Sequence, residues 1–146
     1  MVRKAELADL LVLTDLALQL WPSHEKGELM SELEGILAKE DAAFFLAETD
    51  GKKMGFAQCQ LRHDYVEGTE SSPVGYLEGI FVEEPARGSG VAKRLLAACE
   101  NWAREQGCRE FASDCELTNT GSTSFHLAMG FEEANRIICF TKRLAQ

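Results

Sequence analysis

Between Gly79 and Asp114 the chain runs a hydrophobic strand, a charged turn, a glycine-bearing loop, a long amphipathic helix and another strand, and this order constrains its fold most. Two strands joined through a helix lie parallel in one sheet, so the sequence predicts an α/β architecture with a right-handed crossover. Val91, Leu95, Leu96, Ala98, Cys99, Trp102 and Ala103 mark the apolar face of the helix, Gly107 ends it, and Arg109 to Asp114 reads as the returning strand. The loop at the helix start, Arg87-Gly88-Ser89-Gly90-Val91-Ala92, has the properties of an anion cradle. Gly88 and Gly90 let backbone amides approach a ligand without Cβ interference, and the helix adds unpaired amides and the positive end of its dipole. A pyrophosphate fits such a place; an ordinary strand-to-helix turn is the competing reading.

The remaining elements complete one α/β domain over residues 1–146. Val2 to Ala5 reads as a short strand. Leu10, Leu13, Leu16, Ala17 and Leu20 recur at helical spacing until Pro22 stops them, and a second helix is predicted over Glu28 to Ala38. Ala42 to Glu48 and Met54 to Arg62 are predicted strands joined by Thr49-Asp50-Gly51-Lys52, a hairpin signal. A polar loop from His63 to Pro73 then feeds the strand Val74 to Val82. A final helix capped at Asn119 or Thr120 reaches Met129, and Arg136 to Leu144 alternates enough to be a last strand.

Composition narrows the function. A net charge of −9, from 15 basic and 24 acidic residues, disfavours a nucleic-acid partner and favours a cationic ligand. The apolar run Leu10 to Leu13 is too short for a signal or a span, which makes a cytoplasmic protein without a membrane partner the expectation. The five cysteines, odd in number and without Cys-x-x-Cys spacing, read as core thiols, and the three scattered histidines imply no metal.

Neither the nucleoside-triphosphate loop nor the dinucleotide fingerprint is spelled here, because Lys93 stands where the third glycine of the latter belongs. What remains, Arg87-x-x-Gly90-x-Ala92 after a strand, resembles the coenzyme A pyrophosphate loop of the Gcn5-related N-acetyltransferase (GNAT) superfamily. The predicted order β-α-α-β-β-β-α-β-α-β matches the GNAT fold, with its mixed central sheet, almost element for element. Arg62-His63-Asp64-Tyr65-Val66, Ser71-Ser72-Pro73-Val74, Leu77-Glu78-Gly79-Ile80-Phe81-Val82, Ala112-Ser113-Asp114 and Gly130-Phe131-Glu132-Glu133 resemble one branch, the short, dimeric aminoglycoside 6′-N-acetyltransferases.

This resemblance implies acetyl-CoA as co-substrate, an aminoglycoside as acceptor, direct transfer in a ternary complex and a homodimer with its carboxyl-terminal strands near the interface. The segment from Arg87 through Gly88, Ser89, Gly90, Val91 and Ala92 would hold pyrophosphate. Ile80, Phe81 and Val82 would offer strand-edge backbone to pantetheine and to the thioester carbonyl, where an N–H polarises the developing oxyanion; their side chains read as core. Asn119 would contact cofactor, with helix capping a compatible explanation. Glu78 would bind a substrate ammonium and relay its proton; the competing reading pairs it with Arg62. Asp114, at a strand's carboxyl end, would bind antibiotic, or else cap a turn. Trp21 and Tyr65 match substrate-binding positions, although an aromatic after Leu20 alone would be read as core. His126 stands where many GNAT enzymes have a tyrosine that protonates the departing thiolate. Asn135 departs from the pattern, standing where the resemblance implies an acid that touches antibiotic. Two rivals remain: acetylation of another polyamine or a protein amine, and a non-catalytic acetyl-CoA-binding sensor.

Overall fold

Apolar runs buried on both faces, and the turns that interrupt them, produce a five-stranded sheet. The structure is a computed structural model describing residues 1–145. It comprises β1 (Val2–Lys4), α1 (Leu10–Leu20, entered through a 3₁₀ turn at Leu7–Asp9), α2 (Lys26–Leu37), β2 (Ala42–Thr49), β3 (Lys52–Arg62), β4 (Val74–Val82), α3 (Val91–Glu105), β5 (Phe111–Ser113) and α4 (Thr120–Ala128). The strands lie in the order β1-β2-β3-β4-β5, antiparallel except for the β4–β5 pair. That parallel pair is the crossover predicted from the glycine loop.

The chain forms two compact units, one ending at Asp114 and one starting at Cys115. In the first, α1 and α2 cover one face of the sheet, where Leu13, Leu16, Leu29, Leu33, Phe44, Leu46 and Phe56 form a core at 2% exposure or less. Each such side chain contributes about 1.5–3 kcal/mol through removal from water. Helix α3 covers the opposite face with Leu95, Leu96, Cys99 and Trp102 buried. The hairpin predicted at Asp50-Gly51 is present, with φ of 52° and 78°, a conformation that Gly and Asp supply at low cost. Cys59, Cys99 and Cys108 are buried thiols, whereas Cys115 and Cys139 are exposed. No helix among the described residues is long and apolar enough to cross a membrane.

Among the differences from the sequence reading, three have a clear physical reason. Helix α2 starts two residues before Glu28, because the Glu25 carboxylate accepts from the amides of Gly27 and Glu28 at 3.0 and 2.7 Å and caps it there. Strand β5 shrinks to three residues, since its ladder with β4 covers only Gly75–Leu77. The expected last strand, Arg136 to Leu144, is absent: residues 131–145 belong to no helix or strand. Alternation provides a face to bury, but a strand also needs a neighbouring edge to complete its hydrogen bonds.

Candidate active site

Strand β4 carries the predicted acid and delivers the chain to the predicted anion loop. Its ladder with β3 is regular up to Leu77↔Cys59 and resumes at Gly79↔Gln58, leaving Glu78 as the extra residue of a β-bulge. A bulge re-aims the side chains that follow it. Before it, a Cβ on Gly75 would lie 2.6 Å from the Ala103 methyl of α3; after it, a Cβ on Gly79 would lie 2.6 Å from the Trp21 ring beside α1. In a regular strand positions 75 and 79, four residues apart, would share a face. The bulge therefore turns Gly79, and with it Phe81, toward the α1–α2 side, where Phe81 joins the core.

Around the bulge, four residues form one bonded group. The Arg62 guanidinium donates to Glu78 through Nε (3.1 Å to Oε2) and Nη2 (2.9 Å to Oε1). The same guanidinium stacks 3.5 Å above the centroid of the Tyr76 ring. Tyr76 in turn donates its hydroxyl to Asp114 Oδ2. Register explains the meeting, because Tyr76 opposes Gln60 on β3 and Ala112 on β5, which brings Arg62 and Asp114 to it as diagonal neighbours. Burial, reinforced by Asp114, pushes the Tyr76 phenol well above its usual range, so it stays a donor. Arg62 is likewise raised: its bond to Glu78 and the charge of that carboxylate outweigh the largest single effect, burial, which acts the other way. The Glu78–Arg62 pairing that the sequence left open is thus present, and sequence reasoning missed Tyr76 altogether. Its signal was its place two residues before Glu78, on the same side of an extended strand.

Trp21 follows α1 and lies edge-on to Phe56 at 5.9 Å while covering Gly79, so it is both a core residue and a neighbour of the bulge. Tyr65 is 76% exposed and lines a recess of about 390 Å³ with Gln60, Arg62, His63 and Asp64. The loop that carries it is fastened to β5, because Glu110 accepts the amides of Glu70 and Ser71 at 2.9 Å each. The Ser71 hydroxyl above all, then the Glu70 amide, holds the Glu110 carboxyl below its usual range.

Beyond Leu77 no strand pairs with the β5-side edge of β4 among the described residues, so Ile80 to Val82 run beside an open edge. The glycine loop follows. Gly88 and Gly90 have φ of 84° and 82°, and a Cβ on Gly88 would meet nothing within 4 Å, so the loop faces open space. Gly90 caps α3 without a side-chain acceptor for its first amides, which remain available to an anion. Ser89 Oγ donates to the Ala86 carbonyl at 2.7 Å, and Arg87 Nε to the Val82 carbonyl at 2.8 Å. These bonds bind the loop to its own strand. Val91 is buried as the first residue of α3, with Ala92 next to it.

Asn119, His126 and Asn135 belong to the second unit. Asn119 caps α4, accepting from the Ser122 amide at 3.1 Å. His126 Nδ1 lies 2.7 Å from the Ser122 carbonyl, which makes Nδ1 the protonated nitrogen and Nε2 the acceptor of the neutral ring. Phe131 packs at 5.1 Å on the His126 ring. Asn135 is exposed, and its Oδ1 accepts from the Arg136 amide at 2.8 Å.

A strand edge, a loop with free helix amides and a carboxylate group thus meet along β4 and its neighbours. The acetyltransferase (GNAT) family model matches residues 10–131. The chain belongs to the GNAT family. Similar proteins include the aminoglycoside N(6′)-acetyltransferase type 1 of Salmonella typhimurium, 49% identical over 125 residues that cover 86% of each chain. The enzyme of the same name from Stenotrophomonas maltophilia is 46% identical and covers 95% of this chain and 90% of its own. Among solved structures, AAC(6′)-Iy in complex with the bisubstrate analogue CoA-S-monomethyl-acetylneamine superposes with a TM-score of 0.95 at 44% identity, covering 99% of this chain and 98% of that one. As a GNAT acetyltransferase, the protein uses acetyl-CoA as its acyl donor.

Proposed function

We propose that this GNAT protein transfers the acetyl group of acetyl-CoA to the 6′-amino group of aminoglycosides, in a ternary complex, and thereby confers resistance. The observation that carries the reading centres on β4: its Glu78 and Tyr76, bonded to Arg62 and Asp114 of the neighbouring segments, form a carboxylate group suited to ammonium ions, and the strand ends in a loop suited to pyrophosphate. Relatives at 46–49% identity bearing the aminoglycoside N(6′)-acetyltransferase name support it.

In this reading the glycine loop binds the diphosphate, and the backbone of Ile80 to Val82 lies along pantetheine and polarises the thioester carbonyl. Glu78 and Asp114 attract the cationic acceptor, with Trp21 and Tyr65 as its aromatic contacts and Asn135 at its margin. Glu78 Oε1 accepts one bond from Arg62, so a lone pair remains for a substrate ammonium. The neutral amine attacks the carbonyl carbon, the carbon–sulfur bond breaks, the nitrogen loses its proton through water to Glu78, and the thiolate takes up a proton. We assign His126 to that sulfur, as the group that supplies its proton, and Asn119 to the cofactor beside its capping role.

Both units serve one catalytic domain, and the working form is a cytoplasmic homodimer. Support for the dimer comes from residues 131–145, which lack secondary structure yet present Ile137, Ile138, Phe140 and Leu144 at 71–87% exposure, an apolar surface that a second copy would bury. Sedimentation at micromolar concentration checks this; a fully active monomer would defeat it.

Kinetics across acceptors test the activity. Aminoglycosides with a 6′-amine are expected to be acetylated at that nitrogen, and congeners with a 6′-hydroxyl to be inert. Better turnover of a polyamine or peptide would shift the function to that amine. Acetyl-CoA binding without any acetylation would make the protein a sensor.

A further inference from the structure

Both carboxylates of the site lead back to Tyr76. Its hydroxyl holds Asp114, and its ring face holds the guanidinium that holds Glu78. The tyrosine is itself 6% exposed, so neither end of this bridge has room to drift. Arg62 and Glu78 keep more solvent access, with side chains 39% and 18% exposed. The buried ring is therefore the fixed part and the two acids the presented part. Two anions at a set separation distinguish a ligand carrying two ammonium groups at the matching separation from one carrying a single ammonium group.

We propose that Tyr76 is a positioning residue that fixes the spacing of Glu78 and Asp114 and so selects acceptors with several amines. The proposal rests on the aminoglycoside reading above and extends it to the choice among acceptors. The geometry argues against mere packing. A ring needed only to fill volume could be phenylalanine, whereas this hydroxyl is used on a carboxylate at the substrate end of the sheet. Arg62 fits the same role, because a planar guanidinium can lie on a ring while sending two donors to one carboxylate; a lysine could not.

A double-mutant cycle tests the link, using Tyr76→Phe, Asp114→Ala and the pair, with kcat and KM determined for tobramycin, for the monoamine 6-amino-6-deoxyglucose and for acetyl-CoA. Tyr76→Phe is expected to raise the tobramycin KM about tenfold, the cost of releasing a charge-assisted hydrogen bond. The acetyl-CoA KM should stay within about twofold and the monoamine kcat/KM should change little, because one ammonium needs no second carboxylate at a fixed spacing. In the Asp114→Ala background, removing the Tyr76 hydroxyl should add nothing. Additive losses, an equal rise in the acetyl-CoA KM, or equal losses for tobramycin and the monoamine would overturn the proposal. A wild-type enzyme inactive on tobramycin would instead overturn the aminoglycoside reading. The same cycle run on spermine would then decide the role of Tyr76 by the same coupling.

Discussion

The glycine loop and the carboxylate group lie on either side of a few residues of β4, yet they are made of opposite materials. In the function proposed above the loop recognises through backbone: Gly88 has nothing within 4 Å of where its Cβ would be, and the first amides of α3 have no capping side chain. The carboxylate group would recognise through side chains, and each of its four members is bonded to or stacked on another. An anion site built from amides is insensitive to most neighbouring side chains and intolerant of an added one. A cation site built from cross-bonded side chains behaves in the opposite way, because changing one member disturbs the others.

Gly90→Val tests the first half and should have the largest effect. A β-branched residue at φ of 82° is strained and places its methyls where phosphate would meet backbone, so acetyl-CoA binding should be lost in calorimetry. The nearest neighbour of the new Cβ would be Arg94 Nη1 at 3.4 Å, outside the core, so the fold should survive. Unchanged affinity would remove the loop from the mechanism. Glu78→Gln comes next, with kcat/KM reduced about 100-fold, the lower range for losing a general base. The acidic limb of its pH profile should vanish as well. A variant with wild-type kcat/KM from pH 6 to 9 would leave Glu78 a structural partner of Arg62.

Asp114→Asn keeps an acceptor for Tyr76 and removes only charge. Aminoglycoside KM should rise about tenfold while acetyl-CoA affinity holds, and equal losses would show that the two regions are not separable. The smallest effect belongs to a pair outside both. Arg3 donates to Asp9 at 2.8 Å from each of two nitrogens, and chiefly for this reason the Asp9 carboxyl titrates at about 2. A carboxyl lowered on folding stabilises the protein above its unfolded pKa, near 4, and that contribution disappears as pH falls toward 2. Asp9→Asn should therefore lower Tm by about 3 °C at pH 7, with the difference from wild type closing in acid and activity unchanged.

The backbone-built region was legible in the sequence because glycines and helix starts are local signals. Gly88, Gly90, the crossover and the strand Val74–Val82 all stand where the sequence put them. The side-chain region was legible only in part. Glu78 and Asp114 could be singled out as charges in or at the end of apolar strands, but Tyr76 looked like any strand aromatic, since its partners are 14 and 38 positions away. The residue that turns the second half of β4 over has no spelling of its own, because a bulge is a property of register between strands. Alternation from Arg136 to Leu144 misled for a related reason: a pattern within one segment carries no information about whether an edge is present to receive it.

The bulge has a consequence for how a gene encoding this chain can change. Replacing the Glu78 codon alters chemistry in one place and leaves every later residue on its own side of the sheet. Removing that codon in frame would take out only the unpaired residue, so Leu77 and Gly79 would still oppose Cys59 and Gln58, and Gly79 and Phe81 would stay on the α1 side. Trp21 would keep the glycine it covers, and the strand would reach its loop facing as it does now. At this position a lineage can lose one residue and keep the strand, and what it gives up is the carboxylate that Arg62 holds.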